Sequence, residues 1–202
     1  MIRIVIAEDQ KLLRGTLSAL LSMEEDIEVV AEAENGHAAW EAIEKYEPDV
    51  CLLDIEIPFL SGLEIAEKLR KEGRSSKIII VTTFARPGFL QKAMELKVEG
   101  YLLKDEPIEL LIDSIRKVTA GERVVSTDLA TVLFLRQESP LTDRETDVLR
   151  LSRSGLSTKE IAKQLFLTEG TVRNYLSVAI QKLGVETRQQ ATEEAYERGW
   201  IL

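Results

Sequence analysis

The sequence predicts an α/β protein: a five-stranded, doubly wound parallel sheet followed by a small all-α domain. Three observations carry that expectation. Over roughly the first 120 residues, short apolar runs alternate with amphipathic segments of helical period, the pattern of parallel strands joined by crossover helices. Four of the five runs end in polar groups, namely Glu8-Asp9, Asp54, Thr82-Thr83 and Lys104, and in such sheets the site lies beyond the carboxyl ends of the strands. After Ser139-Pro140 only helical periodicity remains, punctuated by Gly and Ser.

The elements follow in order. Ile2, Ile4 and Ile6 lie in a β-branched run suited to a central strand. Gln10 to Ser22 places Leu12, Leu13, Leu17, Leu20 and Leu21 on one wide helical face. Ile27 to Ala33 reads as a second strand, Asn35-Gly36 as a turn, and Ala38 to Tyr46 as a helix that Pro48 ends. Val50-Cys51-Leu52-Leu53-Asp54 is an apolar run closed by a carboxylate, as a buried strand opening into a site reads. Ser61-Gly62 opens a helix through Lys71. Lys77 to Thr83 is a fourth strand, Gly88 to Leu96 a helix, and Tyr101 to Lys104 a short fifth strand. Asp105 is expected to cap a last helix, with Pro107 in its first turn and its end near Ala120. Residues 123–139 read as a linker, with a short helix over 128–136.

Composition narrows the class. The chain has 202 residues, 45% hydrophobic and 30% charged, enough for packed cores. Its net charge of -9 is concentrated in residues 1–124, with 16 Lys+Arg against 24 Asp+Glu; the remainder holds 10 against 11. The whole-chain charge argues against indiscriminate nucleic-acid binding, while the near-neutral second part can carry a basic face. A single cysteine, Cys51, sits in an apolar run and fits a reducing compartment. The acidic N-terminus does not read as a signal peptide, and no apolar run approaches membrane-spanning length. A cytoplasmic protein without membrane insertion is the expectation.

The carboxylates carry the chemistry. Asp9 and Asp54 are hard oxygen ligands suited to Mg²⁺, with the Glu56 backbone carbonyl as a third and Glu8 acting through water. The metal offsets carboxylate repulsion, Asp54 attacks as a nucleophile to give an aspartyl phosphate, Lys104 neutralises one phosphoryl oxygen and the Thr82 hydroxyl donates to another. Strand alternation turns the rival Thr83 away. His37, after the Asn35-Gly36 turn, reads as a solvated residue. The constellation Glu8-Asp9, Asp54, Thr82, Lys104, with the loop Asp54-x-x-x-Pro58-x-x-x-Gly62, resembles the receiver domain of two-component response regulators over about residues 1–122. That resemblance implies a flavodoxin-like fold, phosphoryl transfer from a histidine kinase, and a switch through Thr82 and Tyr101. One departure is that Asp105, not proline, follows Lys104. The stretch Phe84-Ala85-Arg86-Pro87-Gly88-Phe89 resembles regulators of a membrane-lipid desaturase in Gram-positive bacteria. A Mg²⁺-dependent phosphatase with an aspartyl intermediate is one rival reading, but Asp54-Ile55-Glu56-Ile57 lacks the second aspartate of that motif; a phosphorylation-independent DNA-binding protein with a degenerate receiver is another, and the intact set Glu8, Asp9, Asp54, Thr82 and Lys104 argues against it.

Residues 140–202 read as four helices. Thr142 and Glu145 form a capping-box pattern opening a helix to about Ser154. Ser157 or Thr158 caps a second helix carrying Ile161, Ala162 and Leu165. A turn at Leu167–Gly170 precedes a third helix from Thr171 to Leu183, and a fourth runs from Thr187 to Arg198. The second and third make a helix-turn-helix. Arg173, Asn174 and Ser177 share one side of the third, with Arg suited to guanine and Asn to adenine. Lys159, Lys163, Lys182, Arg188 and the Thr171 hydroxyl are candidate phosphate contacts. The wording Leu141-Thr142-x-Arg144-Glu145, Gly155-x-Ser157-x-x-Glu160-Ile161-Ala162, Thr171-Val172 and Lys182-Leu183 resembles the LuxR/NarL/FixJ-type DNA-binding domain over about 138–202. Together the two resemblances imply a transcriptional response regulator that a cognate histidine kinase phosphorylates on Asp54, and that then binds double-stranded promoter DNA as a homodimer.

Overall fold

The computed structural model describes residues 1–83, 86–126 and 139–201. Two compact units divide the chain: residues 1–85 with 90–134, and residues 86–89 with 135–202. Phe84, Ala85 and the helix expected over 128–136 lie outside the described residues.

Residues 1–126 run β1 (Ile2–Ala7), α1 (Lys11–Leu21), β2 (Ile27–Ala33), α2 (Gly36–Tyr46), β3 (Val50–Asp54), α3 (Gly62–Lys71), β4 (Lys77–Thr82), α4 (Pro87–Glu95), β5 (Gly100–Leu103), α5 (Ile108–Thr119) and β6 (Val124–Val125). All strand pairs are parallel, in the order β2-β1-β3-β4-β5-β6. The order reverses between β1 and β3, so the carboxyl ends of those two strands flank the crevice where such sheets bind ligands. In register Ala7 lies opposite Leu53, so Glu8-Asp9 and Asp54 emerge side by side.

Every residue of β3 is buried, as a central strand covered on both faces requires. On one face Ile4, Ile6, Val50, Leu52, Ile79, Val81 and Leu102 pack with Leu21 of α1 and with Leu111, Ile115 and Val118 of α5. The alternate residues Val5, Cys51, Leu53, Ile78 and Ile80 are buried too, as are Leu63, Ile65, Ala66 and Leu69 of α3. Burial pushes the Cys51 thiol up to about 12, so it stays a protonated core residue.

Among the described residues the sheet has six strands rather than the five expected. The chain leaves α5 through Gly121, at φ 93°, and returns alongside β5, where the Val124 N–H donates to Glu99 O at 2.9 Å and the Ser126 N–H to Tyr101 O at 3.1 Å. β6 therefore occupies the start of the segment read as linker. The starts of α2 and α5 also differ. Asn35 caps α2 through Ala38 N, so Gly36 is helical rather than part of a turn. Pro107, not Asp105, precedes α5; the neighbouring carboxylate that closes this corner is Glu106, which accepts from Leu103 N at 3.0 Å.

The second unit is built from α6 (Asp143–Arg153), α7 (Thr158–Leu165), α8 (Glu169–Leu183) and α9 (Arg188–Glu197). Its core joins Val148 and Leu149, Ile161 and Ala162, Val172, Leu176 and Ala179, and Ala191 and Ala195. Thr142 with Glu145, Ser157 with Glu160 and Thr187 with Gln190 form reciprocal capping boxes, fixing three of the four starts. Thr168 caps α8 through Thr171 N at 3.1 Å, so that helix begins at Glu169, two residues before the expected Thr171.

Candidate functional site

The acidic site is assembled at the ends of β1, β3 and β5. Lys104 Nζ lies 2.7 Å from Glu8 Oε2 and 3.0 Å from Asp54 Oδ2. All three side chains are almost fully enclosed, at 8%, 3% and 4% exposure. Asp9 is exposed. One carboxylate oxygen from each of Glu8, Asp9 and Asp54 lies within 4.8 Å of the others. This all-oxygen set, anionic and open on the Asp9 side, suits a hard divalent cation such as Mg²⁺. The Glu56 N–H donates to Asp54 Oδ1 at 3.3 Å, which brings the Glu56 peptide beside the same carboxylate.

Burial raises the pKa values of Glu8 and Asp54 above the usual carboxylate range, and hydrogen bonds from Lys104 only partly oppose it. Burial pulls the Lys104 ammonium down, but Glu8 and Asp54 outweigh that effect and hold it above its ordinary value. One cation thus ties together two carboxylates that would otherwise repel at close range.

The backbone around the site is tightly held. A Cβ on Gly62 would meet the Asp54 carbonyl oxygen at 2.3 Å, and one on Gly36 the Leu60 carbonyl oxygen at 1.9 Å. These two glycines let the loop after Asp54 fold back against α2 and α3. Ser61 and Glu64 close the loop with a capping box. Sequence reasoning missed Arg14, whose Nη1 donates to Glu8 O at 2.6 Å and Asp9 O at 3.3 Å, clamping the acidic turn. Its only signal was a cation among the leucines of α1.

Thr82 is buried at the end of β4 while Thr83 is exposed, as alternation predicts. The Lys104 N–H donates to Thr82 O at 2.9 Å, linking the threonine and the lysine through the backbone. Tyr101 on β5 is buried. His37 is exposed and stacks on Phe59, with ring centroids 5.5 Å apart.

In the second unit Arg173, Asn174 and Ser177 are all exposed on α8, and Arg173 Nη2 lies 3.0 Å from Glu169 Oε2. Lys159 and Lys163 project into solvent from α7. The other three phosphate candidates already have partners within the unit. The Thr171 hydroxyl lies 2.9 Å from that of Thr168, Lys182 Nζ lies 2.8 Å from Glu145 Oε2, and Arg188 Nη2 donates to Leu156 O.

Comparison with known proteins agrees with both halves. The model of the response regulator receiver domain matches residues 4–116, and that of the bacterial regulatory proteins of the luxR family matches residues 139–195. Over 201 residues the chain is 52% identical to the uncharacterized transcriptional regulatory protein YvfU of Bacillus subtilis. It is 48% identical over 201 residues to the transcriptional regulatory protein DesR of that organism. Both alignments cover 100% of each partner. A crystal structure of a LuxR-family DNA-binding response regulator from Staphylococcus aureus matches at 43% identity and a TM-score of 0.58, covering 59% of this chain and 99% of that one. A receiver unit with an acidic pocket, joined to a LuxR-type helical unit and aligned end to end with transcriptional regulators, places this chain in the LuxR-type family of two-component transcriptional response regulators.

Proposed function

We propose that Asp54 accepts a phosphoryl group from a cognate histidine kinase, and that this event promotes homodimerisation and promoter binding in the cytoplasm. The observation that supports it most is Lys104 held between Glu8 and Asp54 beside the exposed Asp9. An Asp54 carboxylate oxygen forms the new bond to phosphorus as the donor's P–N bond breaks, its electron pair staying with the departing imidazole nitrogen. Mg²⁺, when held by Asp9, Asp54, the Glu56 carbonyl and, through water, Glu8, offsets carboxylate charge and polarises the phosphoryl group.

The chain's own groups do the rest. Lys104 moves its ammonium from the Asp54 carboxylate to a phosphoryl oxygen while keeping Glu8, and the Thr82 hydroxyl donates to another oxygen. Thr82 and Tyr101 together carry the change across β4 and β5 toward α5. In this reading the receiver spans residues 1–126, four beyond the expected boundary, because β6 belongs to its sheet. The dimer face combines α1 and α5; Leu12 on α1 is 85% exposed, and the space beside Gly15 is open. Residues 140–202 then place two copies of α8 on paired half-sites. Arg173, Asn174 and Ser177 read bases, while Lys159, Lys163, Thr171, Lys182 and Arg188 meet phosphates.

Treating the full chain with acetyl phosphate and Mg²⁺ is expected to convert monomer to dimer in sedimentation. It should also tighten binding to a duplex selected from a random pool by on the order of 10²-fold, through the second half-site. Unchanged mass and affinity in a fully phosphorylated sample would reject the mechanism.

A further inference from the structure

Phe166 closes α7 in the left-handed region, at φ 57° and ψ 43°, and its side chain is 95% exposed. That conformation is the usual place of glycine or asparagine at a helix end, since a bulky L-residue is strained there. Gly184 fills the equivalent position after α8, at φ 68°. The backbone bond that needs the turn runs from the Leu167 N–H to Ala162 O at 2.8 Å and would form with any residue at position 166. Within this unit the ring contributes almost no burial, yet it carries both strain and the exposure of a large apolar group.

We infer that Phe166 is a DNA contact, its ring packing against deoxyribose on the sugar–phosphate backbone beside the reader helix. This rests on the reading of α8 as that helix. Phe166 stands two residues before Thr168, the cap of α8, whose first backbone N–H groups form an anion-seeking helix end. Exposed Lys163 lies three residues back, in the last turn of α7. The two nearby carboxylates are engaged: Glu169 with Arg173 at 3.0 Å, and Glu160 with the Ser157 hydroxyl at 2.6 Å. A cation, a hydroxyl and a helix N-terminus on either side of an apolar ring match the alternation of phosphate and sugar along a DNA strand. A second copy of this chain or another protein would have to pair an apolar group with that ring while stranding the cation and the helix end.

The contact has a distinct signature. A sugar carries no base identity and no charge. Phe166→Gly should therefore weaken selected and scrambled duplexes by the same factor, roughly tenfold, which is about 1.4 kcal/mol. The slope of log affinity against log salt should stay that of the parent, because no phosphate loses its cation. The thermal melt of the full chain should be unchanged or higher, since glycine relieves the left-handed strain. Phe166→Tyr should retain parental affinity.

The experiment titrates full-length parent, Phe166→Gly, Phe166→Tyr and Arg173→Ala against a duplex recovered from a random pool by the parent, and against its scrambled version, at several salt concentrations. Equal weakening on both duplexes with an unchanged slope supports the inference. Parental affinity in Phe166→Gly, a loss confined to the selected duplex, or a lower melt each overturns it. Arg173→Ala separates the two readings. If it loses discrimination while Phe166→Gly binds normally, only the inference fails; if neither substitution alters binding, the assignment of α8 as the reader fails.

Discussion

Lys104→Ala is expected to lower the stability of the receiver by about 3–5 kcal/mol in metal-free buffer, the usual effect of removing one partner from a buried charge cluster. The reason is geometric. Lys104 Nζ is within 3.0 Å of both Glu8 and Asp54, and burial already raises the pKa of each carboxylate. Without the ammonium, two enclosed acids face each other with no internal counter-charge. Millimolar Mg²⁺ should recover part of the loss in the variant and add less to the parent, because the cation then supplies the only compensation. Urea unfolding followed by circular dichroism, with and without Mg²⁺, checks both halves. A variant as stable as the parent in metal-free buffer would mean that the three groups are not coupled as described.

The second large effect is expected at Glu145. Its carboxylate accepts from Thr142 N at 2.7 Å, closing the cap of α6, and holds Lys182 Nζ at 2.8 Å, thereby fastening α6 to the end of α8. Glu145→Ala removes both at a buried position, at a cost of about 2–4 kcal/mol between the cap and ion-pair contributions. Hydrogen exchange of the α6 and α8 amides in the full chain should accelerate by roughly 30- to 1,000-fold. Burial pushes the Glu145 carboxyl up, but the bonds from Lys182 and Thr142 N outweigh it and hold the carboxyl below its usual 4.5. A depressed folded-state pKa stabilises above the unfolded value and stops doing so as pH falls through the folded one. The parent should therefore lose this contribution below pH 4.5, whereas the variant has none to lose.

What was legible in the sequence follows from how local each signal is. Val50–Asp54 could be read because β3 is buried on both faces, which leaves an uninterrupted apolar run, and the site carboxylate ends it abruptly. Thr82 was separable from Thr83 because side-chain direction alternates by residue along a strand. The first helix of the second unit was readable from Thr142 followed three residues later by Glu145, whereas α8, whose cap Thr168 is followed at that spacing by Thr171, was placed two residues late. Features set by distant contacts were not legible. β6 has two residues, too few to show a period, and exists only because β5 offers an open edge. Gly36 looked like a turn residue, yet Asn35 caps α2 just ahead of it, and Leu60, distant along the chain, leaves no room for a Cβ there. Lys182 read as a candidate phosphate contact; its partner Glu145 lies 37 positions away. Phe59 and Phe166 both adopt left-handed backbone, at φ 72° and 57°, where apolar composition alone suggests core.

The most direct test of the central claim is to incubate the full chain with radiolabelled acetyl phosphate and Mg²⁺ and to follow the bound label in the parent and in Asp54→Ala. Acid-stable, hydroxylamine-labile label is expected in the parent, dependent on the metal, and none in the variant. Stable labelling of Asp54→Ala at the parental level would contradict the claim.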